Sequence, residues 1–163
     1  MLSSLGGIVG DSAVWRAMSE YAKAWKFKHP SPWDYANFMS NALHRDLGWF
    51  WYYWLFTTER VDESIEGVRT QGGNTFVTVR QDGEMPSPVI LKVELAPNGT
   101  TAKPPGGARP IDFGGAVVEF TSWLDANTAI VAYPVDVWFS GSRLFVAPLN
   151  FGPRTISKIT LDP

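Results

Sequence analysis

Metal or acid–base chemistry would rest first on histidine, and the chain has two, His29 and His44. They show neither H-E-x-x-H nor H-x-H spacing, whereas a catalytic zinc needs three protein ligands held on rigid elements, usually two or three of them histidine. His29 reads as the residue that closes a helix before Pro30, and His44 as a loop residue. With no Cys in 163 residues, thiol nucleophiles, disulfide frameworks and Cys-based zinc or iron–sulfur sites are excluded. Ser140-Gly141-Ser142 lacks the G-x-S-x-G elbow of a serine hydrolase and falls between strands, so it reads as a hairpin turn. Gly106-Gly107 and Gly114-Gly115 have neither the spacing nor the following helix of a phosphate-binding loop. The carboxylates Asp62, Glu63 and Glu66 form a group whose ordinary explanation is an exposed acidic strand start. Asn98-Gly99-Thr100 matches a glycosylation acceptor, but a turn accounts for it equally well.

The strongest anomaly is apolar. Residues 49–56 (WFWYYWLF) are aromatic at every position but Leu55, so a helix here is expected to be apolar all round. Such a helix is buried on all sides or docks onto something outside the chain. A membrane span is excluded by length. An interfacial membrane helix wants a cationic face that this one lacks. Two uses remain: packing against protein, or stacking a ligand such as a sugar on exposed rings. Trp49, Phe50, Trp51, Tyr53 and Trp54 are the candidate interface residues.

The surrounding pattern divides the chain at Val61. Residues 1–61 hold six of the eight Trp and read as helices; residues 62–163 hold most of the 15 Gly and 12 Pro, with β-branched runs between them. Asp11 as N-cap, followed by Val14, Met18, Tyr21 and Trp25, predicts a helix over 12–27 that ends at the His29-Pro30 step. Ser31-Pro32-Trp33-Asp34 has the form of a capping box with Pro at the first helical position, opening a helix to about Leu43. A further helix follows Asp46 and carries Leu47 through Phe56. Residues 2–9 read as the tail of another, stopped at Gly10. In the second part, strands are expected at Ser64–Thr70, Thr75–Gln81, Val89–Ala96, Ala116–Leu124, Thr128–Phe139, Arg143–Pro148 and Arg154–Leu161. Pro134 inside the fifth marks an edge, a bulge or a break. Lys103–Pro110 reads as a loop. The fold class is α+β: three to four helices followed by an antiparallel immunoglobulin-like β-sandwich. A net charge of -2 argues against nucleic acid as the main partner, since phosphate neutralisation needs a basic face.

Several of these runs together resemble a known family. Residues 15–30 (WRAMSEYAKAWKFKHP), 32–34 (PWD), 46–51 (DLGWFW) and 54–58 (WLFTT) are similar to the region after the zinc site in bacterial aminopeptidase N-like zinc metallopeptidases (gluzincins). Residues 85–89 (MPSPV), 134–138 (PVDVW) with Gly141, and 158–163 (KITLDP) are similar to the β-domain that follows it. The likeness is specific over residues 10–58 and moderate over 85–163, with residues 106–130 a local elaboration. It implies a hydrolase parent that uses a zinc-activated water and a Glu general base. The zinc ligands, the general base and the residues gripping the substrate's amino terminus lie upstream of this chain in the family, so no catalytic, cofactor or metal role is carried over to any residue here. Met1 is then expected to be an internal methionine, and residues 2–9 the end of a helix begun upstream.

The resemblance therefore implies a non-catalytic C-terminal fragment. Its partner would be the missing catalytic domain, and its uncovered apolar helices would make it self-associate. It would have no cofactor of its own, with zinc in the parent. The compartment stays open, an exported (periplasmic or extracellular) parent included. A stand-alone β-sandwich module with an aromatic docking or ligand surface is the alternative. A third arrangement is a separately expressed chain that complements a catalytic half.

Overall fold

A computed structural model describes residues 1–97, 111–112 and 118–163. The chain forms two compact units, residues Met1–Glu59 and Arg60–Pro163.

The first unit is helical: α1 (Leu2–Val9), α2 (Asp11–Trp25), α3 (Pro32–Ala42) and α4 (Gly48–Phe56). α1 stops at Gly10, whose φ of 91° lies where only glycine sits without strain, and whose N–H donates to the Gly6 carbonyl at 2.8 Å. Gly10, not Asp11, occupies the N-cap of α2. Asp11 is the first helical residue, where a carboxylate faces the positive end of the helix dipole. α2 also ends two residues short of the expected 27, because Lys26 is already extended (ψ 127°) and Phe27 has φ 61°.

The capping box opening α3 is present: the Asp34 N–H donates to Ser31 Oγ (3.2 Å), and the Ser31 N–H donates to Asp34 Oδ2 (2.8 Å). These bonds hold the Asp34 carboxyl below its ordinary range, the side-chain bond from Ser31 first and the backbone bond second. α4 begins at Gly48 with Leu47 as its cap, and the Gly48 N–H donates to Asp46 Oδ1 at 2.9 Å. The core joins all four helices through Leu5, Val14, Ala17, Ala36, Met39, Leu47, Phe50 and Trp51.

Among its described residues, the regular elements of the second unit are strands and one turn of 3-10 helix. β1 (Glu63–Gln71) and β2 (Asn74–Gln81) form a hairpin with Gln71 opposite Asn74. Its two-residue turn needs positive φ at both positions, which Gly72 (59°) and Gly73 (82°) supply. β3 (Val89–Leu95), β4 (Ile111–Asp112), β5 (Val118–Trp123), β6 (Thr128–Tyr133), β7 (Leu144–Leu149) and β8 (Ile156–Leu161) complete two antiparallel sheets, ordered β1-β2-β7 and β4-β5-β6-β3-β8. Alternation on β2, β3 and β6 sends Val77, Val79, Val89, Leu91, Val93, Ala129, Val131 and Tyr133 into the interior. Tyr133 ties the sheets together. Its ring meets that of Phe145 edge-on at 5.0 Å, and its hydroxyl donates to the Pro148 carbonyl.

Two expectations are corrected here. The strand over Thr128–Phe139 stops at Tyr133, because Pro134 has no N–H for the ladder and Val135–Trp138 coil into a 3-10 turn. Ser140-Gly141-Ser142 is consequently not a hairpin turn: it carries the chain from that 3-10 turn, at the end of a strand of the five-stranded sheet, into β7 of the other. The short β4 had no sequence signal. Asn98-Gly99-Thr100, Lys103–Pro110, Gly106-Gly107, Gly114-Gly115 and the first two residues of the expected Ala116–Leu124 strand lie outside the described residues.

Candidate functional site

α4 divides its aromatic rings between two environments. Phe50 and Trp51 are buried in the helical core. Trp51 meets Tyr35 edge-on at 5.6 Å, and its indole N–H donates to Ser40 Oγ at 3.2 Å; that hydroxyl donates in turn to the Ala36 carbonyl. Phe50 sits among the rings of Trp49, Trp51 and Trp54, at 5.1 to 5.9 Å between centroids. The opposite side of the helix is open: Tyr52 is 57% exposed, Leu55 45% and Phe56 54%.

Of the five candidate interface residues, therefore, Phe50 and Trp51 are core and not surface, Trp49 and Tyr53 are half-buried, and Trp54 is exposed. Residue type could not sort them, since the run is apolar at every position. The packing of α3 against one side of α4 does the sorting.

The exposed side of α4 continues beyond the helix. Trp33, in the first turn of α3, stacks flat on Phe56, with ring centroids 5.1 Å apart and planes within 11°. Both rings remain more than half exposed. Tyr52, Leu55, Phe56 and Trp33 thus supply a run of apolar surface on α3 and α4 with no charged side chain of α4 to interrupt it, and Trp54, whose ring rests against Phe50, is exposed beside the buried face. Trp15 on α2 and Phe27 after it are exposed as well. Such a surface can bind by area and shape, with the Tyr52 hydroxyl and the indole N–H groups as its polar points.

The titratable groups are placed as follows. His29 and His44 are both exposed, the first just before Pro30 and the second in the α3–α4 connection with φ 51°. Among the described residues no group of three or more His, Asp or Glu side chains is placed to hold a metal ion.

Glu63, expected in an exposed acidic strand start, is instead half-buried at the beginning of β1. Ser87 Oγ donates to its carboxylate at 2.8 Å, and the Trp138 indole donates to the Ser87 carbonyl at 2.9 Å. Burial dominates and lifts the Glu63 pKa from 4.5 to about 7. The bond from Ser87 opposes the rise, the charge of Asp162 adds to it, and a hydrogen bond from Trp138 opposes it. The missed signal was spacing: Glu63 and the apolar Ile65 stand two apart on a strand and share a face.

No helix among the described residues is long and apolar enough to cross a membrane. Comparison of the chain with models of known protein families, with curated proteins and with solved structures returns no match.

Proposed function

We propose that this chain is the non-catalytic C-terminal part of a bacterial zinc aminopeptidase of the aminopeptidase N-like group. In this reading its four helices complete a catalytic domain, and its two sheets form an immunoglobulin-like sandwich beside that domain. The observation that carries the reading is the exposed aromatic side of α4 with Trp33. A stacked Trp33–Phe56 pair, Tyr52 and Leu55 face outward on a unit that already buries Phe50 and Trp51. Surface of that kind marks contact with another body. The residue runs at 15–34, 46–58, 85–89, 134–138 and 158–163, which resemble the peptidase family, support taking that body to be the zinc-bearing segment that precedes this region in the family.

The test has two arms. The DNA upstream of the Met1 codon should read in frame into an H-E-x-x-H segment. The joined polypeptide should then release N-terminal amino acids from aminoacyl anilides in a zinc-dependent way, while residues 1–163 alone do not. Peptidase activity or stoichiometric zinc in residues 1–163 alone would overturn the proposal.

The same stacked pair favours one other reading, a stand-alone module that holds a ligand on its rings. Under that reading Trp33→Ala abolishes ligand binding and leaves the helical circular dichroism unchanged.

A further inference from the structure

The helical unit carries a groove between α1 and α2 that its own core does not fill. Its volume is about 490 Å³, a size that suits a small molecule. Gly6 and Gly7 form its floor on α1, and a side chain added at Gly7 would meet no heavy atom within 4 Å. A side chain at Gly6 would instead overlap the Asp11 carboxylate, which therefore lies against the backbone of α1 at the groove. Trp15 stands one turn on from Asp11, on the same face of α2, and is 71% exposed. Leu2 and Met18 add apolar wall.

Charge and ring together indicate what fits. No Lys or Arg lines the groove, and Asp11 forms no ion pair with a described residue. The helix ends add little net charge. α1 ends and α2 begins at Gly10, so about half a negative charge meets about half a positive one. The Asp11 carboxylate is left uncompensated and favours a cation. The face of an indole also attracts a cation, through the ring quadrupole. A bare metal ion is a poor match, because it wants several oxygen ligands and no second carboxylate lines the groove. The apolar wall and the open floor over Gly7 call for a cation that carries an apolar body.

We propose that the α1–α2 groove binds a small organic cation, an ammonium group on an apolar body. The ammonium meets the Asp11 carboxylate and the Trp15 ring, and the body lies over Gly7 against Leu2 and Met18. This inference uses the helical unit alone and survives the failure of the peptidase reading.

The test uses the full chain and phenethylammonium, titrated by ligand-observed NMR, which should show saturable binding. Phenethyl alcohol and hydrocinnamate keep the ring but lose or invert the charge, and each should bind about tenfold more weakly or not at all. Asp11→Asn should weaken the ammonium by a similar factor. Gly7→Leu fills the open floor with a better helix former, so it should abolish binding with the helical circular dichroism retained. If that chain misfolds, Trp15→Ala at an exposed position takes its place, with a loss of about fivefold expected. The proposal is overturned if millimolar phenethylammonium gives no saturable signal, or if the alcohol or hydrocinnamate binds equally well. It also fails if Asp11→Asn has no effect, or if Gly7→Leu (or Trp15→Ala in its place) has none, since the ligand then sits elsewhere, the exposed rings of α4 included. Self-association that Gly7→Leu abolishes and the ammonium cannot compete would put a second copy in the groove and likewise overturn it.

Discussion

At the scale of single residues, Glu63 and Trp51 show how burial sets the consequence of a change. The Glu63 carboxyl has its pKa raised to about 7 in the folded chain, chiefly by burial. Below about pH 4.5 the group is protonated in the folded and the unfolded chain alike and contributes no pH dependence. As pH rises from there to about 7, the unfolded chain ionises while the folded one holds its proton, so stability falls across that window and stays lower above it. Glu63→Gln keeps an acceptor for Ser87 and removes the charge. It should therefore unfold at higher urea than the parent at pH 8, with the two midpoints converging at pH 4; equal midpoints at pH 8 would refute the assignment. Trp51 is a different case, fixed by packing. Trp51→Ala empties a site beside Tyr35 and Phe50 and leaves Ser40 Oγ without its donor. A loss of about 3–5 kcal/mol is expected by urea unfolding. Trp33→Ala, at an exposed position, should change stability far less than Trp51→Ala.

At the scale of elements, the start of α3 was fully legible because all its determinants are local: Ser31, Pro32 and Asp34 satisfy one another within four residues. Ser31→Ala should lower the thermal midpoint and Ser31→Thr should largely restore it, as followed by circular dichroism at 222 nm, since a hydroxyl at the cap is what the Asp34 N–H requires. The strands on either side of Gly72-Gly73 were legible for the same reason. Legibility failed where a distant contact decides. The sequence marks Pro134 as an interruption but does not say that the chain then coils through Val135–Trp138 and changes sheets. In the seven rings of α4 nothing local separates the buried Phe50 from the exposed Phe56. Glu63 likewise looked like surface beside Asp62 and Glu66, because Ser87 and Trp138, which enclose it, lie 24 residues and more away along the chain.

At the scale of the whole molecule, solubility and association follow from how little charge opposes the exposed rings. With a net charge of -2 over 163 residues, long-range repulsion between copies is weak. Tyr52, Leu55, Phe56 and Trp33 form an apolar surface on the helical unit that the chain's own core does not use. Where the proposed catalytic segment is missing, a second copy is the most abundant body able to cover that surface. Sedimentation velocity of residues 1–163 should show a sedimentation coefficient that rises with concentration. Because the contact is apolar, adding salt to 0.5 M (a Debye length of about 4 Å) should leave the association intact or strengthen it, whereas an association held by surface charge would weaken. Replacing Trp33 and Phe56 together by Ser should return the chain to a monomer with its helical dichroism preserved, since neither ring lies in the buried cluster. A wild-type chain that stays monomeric at every concentration would show that this surface needs no cover, and would remove the main structural support for a missing partner.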